Sequence, residues 1–351
     1  MDFINNLFVN IAGLCRSVFI WLVSLLHLPP VFADIAMAAV YWLAIVIVCV
    51  LCALFYVVWE RKLAGYLQRR PGPNRLGPNG WLQTIGDALK LVMKEDIVPN
   101  GADKPIHLLA ALLAFVPPML ALAAIPFGEG MTALDLDLGL VYIMAVTTLA
   151  SLPVLLAGYA SNNKYSLMGA MRVVNQAISY EVPQALALLN VVLVAGTFNL
   201  NRIITYQTEH IWLVFCQPVA FAVYLICALA ECNRAPFDLP EGESELTAGV
   251  YTEYSGMRYA LFYLAEYCNM FAAAGLATTL FLGGFSGPLL PGWLWFIIKT
   301  FVIMTVFIWV RWTLPRMRAD YVLRFCWKIL VPLMLVNLLV TGVAVYILAL
   351  M

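Results

Sequence analysis

Residues 218–256 read PVAFAVYLICALAECNRAPFDLPEGESELTAGVYTEYSG, an apolar run that passes without a spacer into a segment carrying Glu231, Asp238, Glu241, Glu243, Glu245 and Glu253. The chain of 351 residues holds only 20 acids, so six of them crowd into one short stretch beside a run apolar enough for a membrane helix. The rest of the composition is that of a polytopic membrane protein: 63% hydrophobic and 11% charged residues, with a mean hydropathy of +0.88. The formal net charge is zero and no basic stripe is long enough to track phosphates, which argues against a nucleic-acid partner.

Apolar windows near the length needed to cross hydrocarbon fall at 35–59, 105–127, 138–159, 178–198, 211–231, 259–283, 293–314 and 328–350. They predict an all-α polytopic membrane protein with about eight core transmembrane helices. A further apolar stretch, 7–28, carries Arg16 and His27 and ends in Pro29-Pro30. Without a basic n-region or a small-residue cleavage site it is expected to be a retained extra N-terminal helix. The expected organisation is an N-terminal extension, 1–34, and a single integral membrane domain, 35–351. Of the 20 basic residues, 17 lie in alternate loops that face one side, which the positive-inside rule makes the cytoplasm, or the matrix of a mitochondrion. The sequence shows no internal repeat and no pair of helices broken at mid-membrane, which argues against a self-sufficient transporter.

Eight cysteines lie scattered through apolar segments, and the one CxxC, Cys49 to Cys52, sits inside IVIVCVLCALF. These read as small buried hydrophobes rather than a redox pair or metal ligands. No haem, flavin or cluster signature is present, so any redox cofactor is expected in another chain.

The inner segments carry most of the polar residues. Pro71–Gly80 is too rich in proline and glycine to be helical, and it lacks the Gly-Lys-Ser/Thr of a phosphate loop. From Trp81 the pattern turns amphipathic, with Leu82, Ile85, Leu89 and Val92 on one face and Gln83, Asp87, Lys90 and Lys94 on another, as for a helix lying at the membrane surface. Asp87 and Lys90 then either belong to a solvated face or rim an opening toward lipid. Glu181 is expected about one turn into its span, where an isolated carboxylate costs roughly 2 to 3 kcal/mol. Pro183, two residues on, is expected to loosen the backbone there.

Two readings are open for the acidic stretch. It is a solvated interaction surface, or a confined string of carboxylates with coupled, raised pKa values, the arrangement a proton relay needs. Interleaved Phe237, Leu239, Leu246, Val250, Tyr251 and Tyr254 favour the second, because the segment can bury an apolar face. Glu241 and Glu245 are spaced one helical turn apart, Glu266 lies within the next span, and Arg234 and Arg258 are the local counter-charges. Lys299, alone in the seventh span, either passes charge onward or is a structural partner for a buried acid.

Four stretches in order carry a resemblance: ERKLAGYLQRRPGPNRLGPNGWLQ with GDALKL and KED; SNNKYSLMGAMR with SYE; AECNRAPFDLPEGESEL with EYSG and AEY; and RWTLPRMRAD with WK. Over about residues 35–350 the chain resembles the core membrane subunit of the NADH:quinone oxidoreductase family, respiratory complex I. Gly86 stands where that family usually has Ala, and Tyr321 where Gln is usual. The resemblance implies a proton-translocating enzyme of which this subunit forms the entrance and tunnel for a lipid quinone. By that similarity Arg61, Asp87, Lys90, Arg234, Phe237 and Asp238 line the quinone path, with Arg311 and Arg316 near its mouth. Glu181, Glu231, Glu241, Glu243, Glu245 and Glu266 form an acidic proton and charge-coupling channel. The quinone, ubiquinone or menaquinone, is substrate; FMN and iron-sulfur clusters sit in partner subunits. Implied partners are the peripheral quinone-site and iron-sulfur subunits, small membrane subunits and antiporter-like subunits. The implied location is the bacterial inner membrane rather than the mitochondrial one. A membrane anchor of a hydrogenase or formate hydrogenlyase shares the superfamily, and GPNRLGPNG and EGESEL favour the quinone enzyme over it.

Overall fold

The structure is a computed structural model that describes residues 7–25, 29 and 31–350, without the side chains of residues 7, 8, 22–25, 243, 244 and 349; His27 and Pro30 lie outside the described residues. Every regular element among these residues is helical. The principal helices are α1 (Leu7–Leu25), α2 (Val31–Leu67), α3 (Gln83–Met93), α4 (Lys104–Ala124), α5 (Gly139–Ala160), α6 (Lys164–Ala195), α7 (Leu200–Glu209), α8 (Pro218–Glu231), α9 (Gly256–Phe281), α10 (Gly292–Thr313) and α11 (Ala319–Leu348). Seven of them, α2, α4, α5, α6, α9, α10 and α11, are long and apolar enough to cross a membrane; in the eighth expected span, 211–231, the apolar helix is the shorter α8, of 14 residues.

The centre of the bundle is α9. Two thirds (67%) of its most apolar window is buried, against 11% for α2, so neighbours surround the first and leave the second largely exposed. Sequence explains the difference. The α9 run FAAAGLATT presents small residues that let other helices approach closely, and a Cβ at Gly275 would already sit 3.3 Å from Phe296 and 3.5 Å from Ile125. Tyr224 of α8 donates to the Ala273 carbonyl at 3.0 Å, and Thr278 meets Thr300 of α10 at 3.3 Å.

Three spans are interrupted, contrary to the expectation of unbroken helices. α4 bends at Phe115 before Pro117 and Pro118, α5 at Leu149–Ala150 before Pro153, and the expected span 211–231 divides at Gln217 into Leu213–Cys216 and α8. Proline removes a backbone donor and crowds the preceding turn, and each break lies one to four residues before one. The opposite holds at Pro183, where α6 runs on without interruption. α6 also starts at Lys164 rather than near 178, capped by the Asn163 side chain accepting from the Tyr165 amide at 3.0 Å. Glu181 therefore lies mid-helix and not one turn from an end, because the polar inner turns of α6 are packed against protein that a hydropathy window ignores.

Loops segregate to two ends as an alternating topology requires. At one end Asp103 donates its amide to Ala160, Asn162 donates to the Gly101 carbonyl, and Ile97 donates to Ser255. At the other, Asn199 donates to Asp135, and the Leu140 amide to the Phe198 carbonyl. The second end also explains Lys299. Its ammonium donates to the carbonyls of Leu282 (2.7 Å), Gly284 (3.0 Å) and Ser286 (2.7 Å) and lies 4.7 Å from the Trp212 ring. Its partners are thus the carbonyls of the turn after α9 and not a buried acid.

On the far side, α11 docks against α6 through a polar knot in which Asn337 donates to Asn190 and Gln217, and Gln217 and Asn190 bind Thr341. A wide π turn at Cys326–Leu330 keeps Val322, Cys326, Leu330 and Met334 on one buried line. A four-residue spacing overshoots a normal helical turn, and the extra width absorbs the drift.

Candidate functional site

The charged groups converge where the inner ends of α2, α8, α9 and α10 meet the 232–255 hairpin. Glu60, near the end of α2, pairs with Arg311 of α10 through one oxygen. Its other oxygen accepts from the Tyr267 hydroxyl at 2.7 Å and lies 4.0 Å from Arg234. Arg234 faces Glu266 at 3.1 Å and stacks over Tyr267, 4.5 Å from the ring centre. The second oxygen of Glu266 accepts from Tyr251 at 3.1 Å. The result is an alternating row, Arg311, Glu60, Arg234, Glu266, with two charges of each sign. Arg234 is 3% exposed, and such burial is tolerable only because each charge has an opposite neighbour.

The hairpin is held tightly against this row. Gly249 has φ +51°, and a Cβ there would lie 1.7 Å from the Pro240 carbonyl oxygen, so glycine is required where the two arms of the hairpin touch. The Val250 amide donates to that same carbonyl at 3.2 Å, while Ser166 of α6 donates to the Val250 carbonyl at 3.1 Å.

Glu231, at the end of α8, is 7% exposed and accepts from Gln184 at 2.8 Å, with no cation within ion-pair reach among the described residues. A small cavity of about 30 Å³ joins it to Glu266 and is lined also by Tyr180, Ser151, Tyr251 and Asn269. That volume and polar lining suit about one water molecule. A wider crevice of about 260 Å³ opens at the inner face between α3, the hairpin and the start of α9, lined by Lys94, Glu241, Tyr251, Tyr254 and Tyr259 among others.

Electrostatics divide the hairpin acids into two groups. Burial pushes the Glu241 carboxyl up to about 7, helped by the neighbouring charges of Glu266 and Asp238. Burial likewise raises Asp238, with Arg316 opposing it. Glu245 is different: it is exposed and ion-paired with Arg172 of α6, which holds its carboxyl below the usual range.

The structure therefore brings together Arg234, Arg311, Glu266, Glu231, Asp238 and Glu241, with Arg316 beside Asp238. Glu245 stands apart at the surface, and Glu241 and Glu245 share no helix, because the helix there spans only Glu243–Leu246. Glu181 is half-buried within reach of Thr148. Phe237 is buried in the core. Arg61 and Asp87 pair with each other, fastening α3 to α2 beside Lys62, which lies 4.3 Å over the Trp81 ring. Lys90 is exposed, and the apolar face of α3 (Leu82, Ile85, Leu89, Val92) is left open as a membrane-surface helix requires.

Two features were missed from sequence. Glu60 is the hub of the row, and the signal was its place before Arg61 in a helix that continues to Leu67 instead of ending at residue 59. Arg258 is no counter-charge for the hairpin acids: it pairs with Asp96 at 2.8 Å and donates to His107 at 2.8 Å, tying the 94–103 segment to α4 and α9.

A polytopic all-helical membrane protein, with a buried row of paired charges and small polar cavities at the inner ends of its spans, is the class that fold and site define. Residues 40–342 match the family model described as NADH dehydrogenase, and the chain belongs to that family. It is 45% identical over 346 residues to the H subunit of the NADH-quinone oxidoreductase of Carboxydothermus hydrogenoformans, covering 97% of both chains. It is 50% identical over 302 residues to the corresponding protein of Dehalococcoides mccartyi (86% of this chain, 85% of that one) and 48% identical over 294 residues to that of Geobacillus thermodenitrificans (82% and 88%). Each of these relatives is named as the H subunit of an NADH-quinone oxidoreductase.

Proposed function

We propose that this chain is the quinone-entry and charge-coupling subunit of a proton-translocating NADH:quinone oxidoreductase in a bacterial inner membrane. Its partners are the peripheral quinone-site and iron-sulfur subunits, small membrane subunits and antiporter-like subunits. FMN and the iron-sulfur clusters belong to those partners, and a ubiquinone or menaquinone is the substrate. The observation that carries this reading is the buried row Arg311, Glu60, Arg234, Glu266, joined by a water-sized cavity to Glu231.

Arg61, Asp87, Lys90, Arg234, Phe237, Asp238, Arg311 and Arg316 form the quinone path. α3 sits at the membrane surface with its apolar face in lipid, so the headgroup is guided between α2 and α3 past the Arg61–Asp87 pair. Reduction of a quinone to a quinol takes two electrons, from outside this chain, and two protons. Asp238 and Glu241 are suited to supply protons, since burial keeps their carboxyls more basic than ordinary carboxylates. Each proton given up adds a negative charge beside Arg234, which loosens its hold on Glu266 and favours proton uptake there. Glu181, Glu231, Glu241, Glu243, Glu245 and Glu266 carry that change onward, with Glu60 as an added member and Glu245 acting at the entrance. Moving one charge against 100 mV costs about 2.3 kcal/mol, and one pKa unit is worth about 1.36 kcal/mol. Shifts of about 1.7 units, well within what burial and a single neighbouring charge produce, therefore suffice.

The test uses the intact complex in inside-out membrane vesicles. E231Q and E266Q are expected to cut proton translocation by about tenfold or more, the scale of a lost proton-transfer group, while NADH oxidation by a water-soluble acceptor persists. Full translocation in both variants overturns the reading.

A further inference from the structure

Tyr251 stands where the two voids meet. It lines the small cavity that holds Glu231 and Glu266, about 30 Å³, and it also lines the wider crevice that holds Glu241, about 260 Å³. Among the described residues it is the one side chain that borders both. Its hydroxyl donates to Glu266 at 3.1 Å, and its ring is wedged between Phe262, 5.3 Å away, and Tyr259, 6.0 Å away. The backbone on which it sits has no slack, because Gly249 is pressed against Pro240 and Val250 is bound by Pro240 and Ser166. A side chain so fixed is a partition rather than a flap.

We propose that Tyr251 is the gate residue of this site, its ring keeping crevice water out of the Glu231–Glu266 cavity while its hydroxyl passes protons across. The inference rests on the relay reading above and deepens it. In the forward step Glu241 gives a proton to a crevice water, which passes one to a lone pair of the Tyr251 oxygen. The phenolic O–H bond breaks as its proton bonds to the Glu266 oxygen it already faces. Glu241 is left as carboxylate, Glu266 as neutral acid and Tyr251 as an intact phenol bearing the new proton, with no electrons moved. Glu266 then releases its proton through the cavity toward Glu231, and the phenol turns back. Neutral Glu266 binds Arg234 less strongly, so the gate also reports the charge of the row.

Ring and hydroxyl have separate tasks, which makes the order of substitutions diagnostic. Y251F keeps the partition and deletes the proton path; Y251S keeps a hydroxyl and lets crevice water reach Glu266. In the intact complex in inside-out vesicles, NADH:quinone turnover and proton translocation are measured for Y251F, Y251S and E266Q, with NADH oxidation by ferricyanide as the assembly control. Y251F is expected to lose about tenfold or more of turnover, and Y251S to exceed Y251F in turnover while translocating fewer protons per NADH. Should Y251S not accumulate, Y251H takes its place: its imidazole restores a proton path, so its turnover is expected to exceed that of Y251F. A merely structural tyrosine gives the reverse order, with Phe the milder change, and that result overturns the proposal. Normal turnover in Y251F with an impaired E266Q overturns the gate alone, whereas a normal E266Q overturns the relay reading beneath it.

Discussion

Arg234 and Glu266 face each other at 3.1 Å inside the inner end of the bundle, the arginine side chain 3% exposed and the glutamate 14%. Neither charge is tenable there alone. The guanidinium serves Glu266 on one side and Glu60 on the other, and Glu60 in turn is held by Arg311. The pairing is what lets a chain this apolar keep four ionisable groups away from bulk water.

Removing the arginine should therefore cost more than removing either acid. R234M is expected to lower the stability of the assembled complex by about 3–5 kcal/mol, the cost of leaving buried charges uncompensated. R234M/E266Q should recover part of that loss. Thermal unfolding of the purified complex reads both, and strictly additive losses would sink the idea of a coupled row.

Glu60 is the row's hub, so E60Q should fold and yet work poorly. Glutamine still accepts from Tyr267, but Arg311 and Arg234 lose an anionic partner. One charge-assisted bond is worth about 1.5–3 kcal/mol, which translates into about 10- to 100-fold less quinone reduction if the row aligns the headgroup. Unchanged turnover would place Glu60 outside the working site.

Glu241 sets a pH dependence with a definite sign. Its carboxyl is raised from 4.5 to about 7 by burial first, then by Glu266 and Asp238, so the folded state binds a proton more tightly than the unfolded one. The stability this contributes is fully present below about 4.5 and is lost as pH rises through about 7. Melting temperatures between pH 5 and 8 should fall less steeply in E241Q than in the parent. E245Q is the contrast: Arg172 lowers the Glu245 carboxyl, its exposed pair contributes little, and its small contribution is lost only as pH falls below the usual carboxylate range.

Lys299 separates structure from mechanism at the opposite end. With three carbonyl partners on the turn after α9, K299M should cost about 1.5–3 kcal/mol of stability per strong charged bond lost, while turnover per assembled complex stays unchanged. A loss of translocation without a loss of stability would show instead that Lys299 carries charge.

Apolar windows located the spans because transfer of a segment into lipid is a sum over neighbouring residues. That sum is blind to polar turns that are helical and packed on protein, which is why α6 starts at Lys164 and Glu60 lies inside α2. It is also blind to breaks, since Pro117, Pro118, Pro153 and Pro218 interrupt their spans whereas Pro183 does not. Proline acts through the backbone groups around it, and whether the helix yields depends on what packs there. The counter-charges show the same limit. Arg258 is close in sequence to the hairpin acids but binds Asp96 and His107, while Arg311, 251 positions from Glu60, completes the row.

The chain's order of residues thus determined the class of protein, the places of its apolar helices, the amphipathic helix α3, the acid-rich hairpin and, through four long motifs, the family. Tertiary structure alone decided which carboxylate meets which guanidinium, which acids stay at the surface, and that Tyr251 lines both cavities. The physical reason is range. Partition into lipid and helix formation are local free energies legible along one dimension, whereas a buried charge chooses its partners by distance, and distances are set only when the helices have packed.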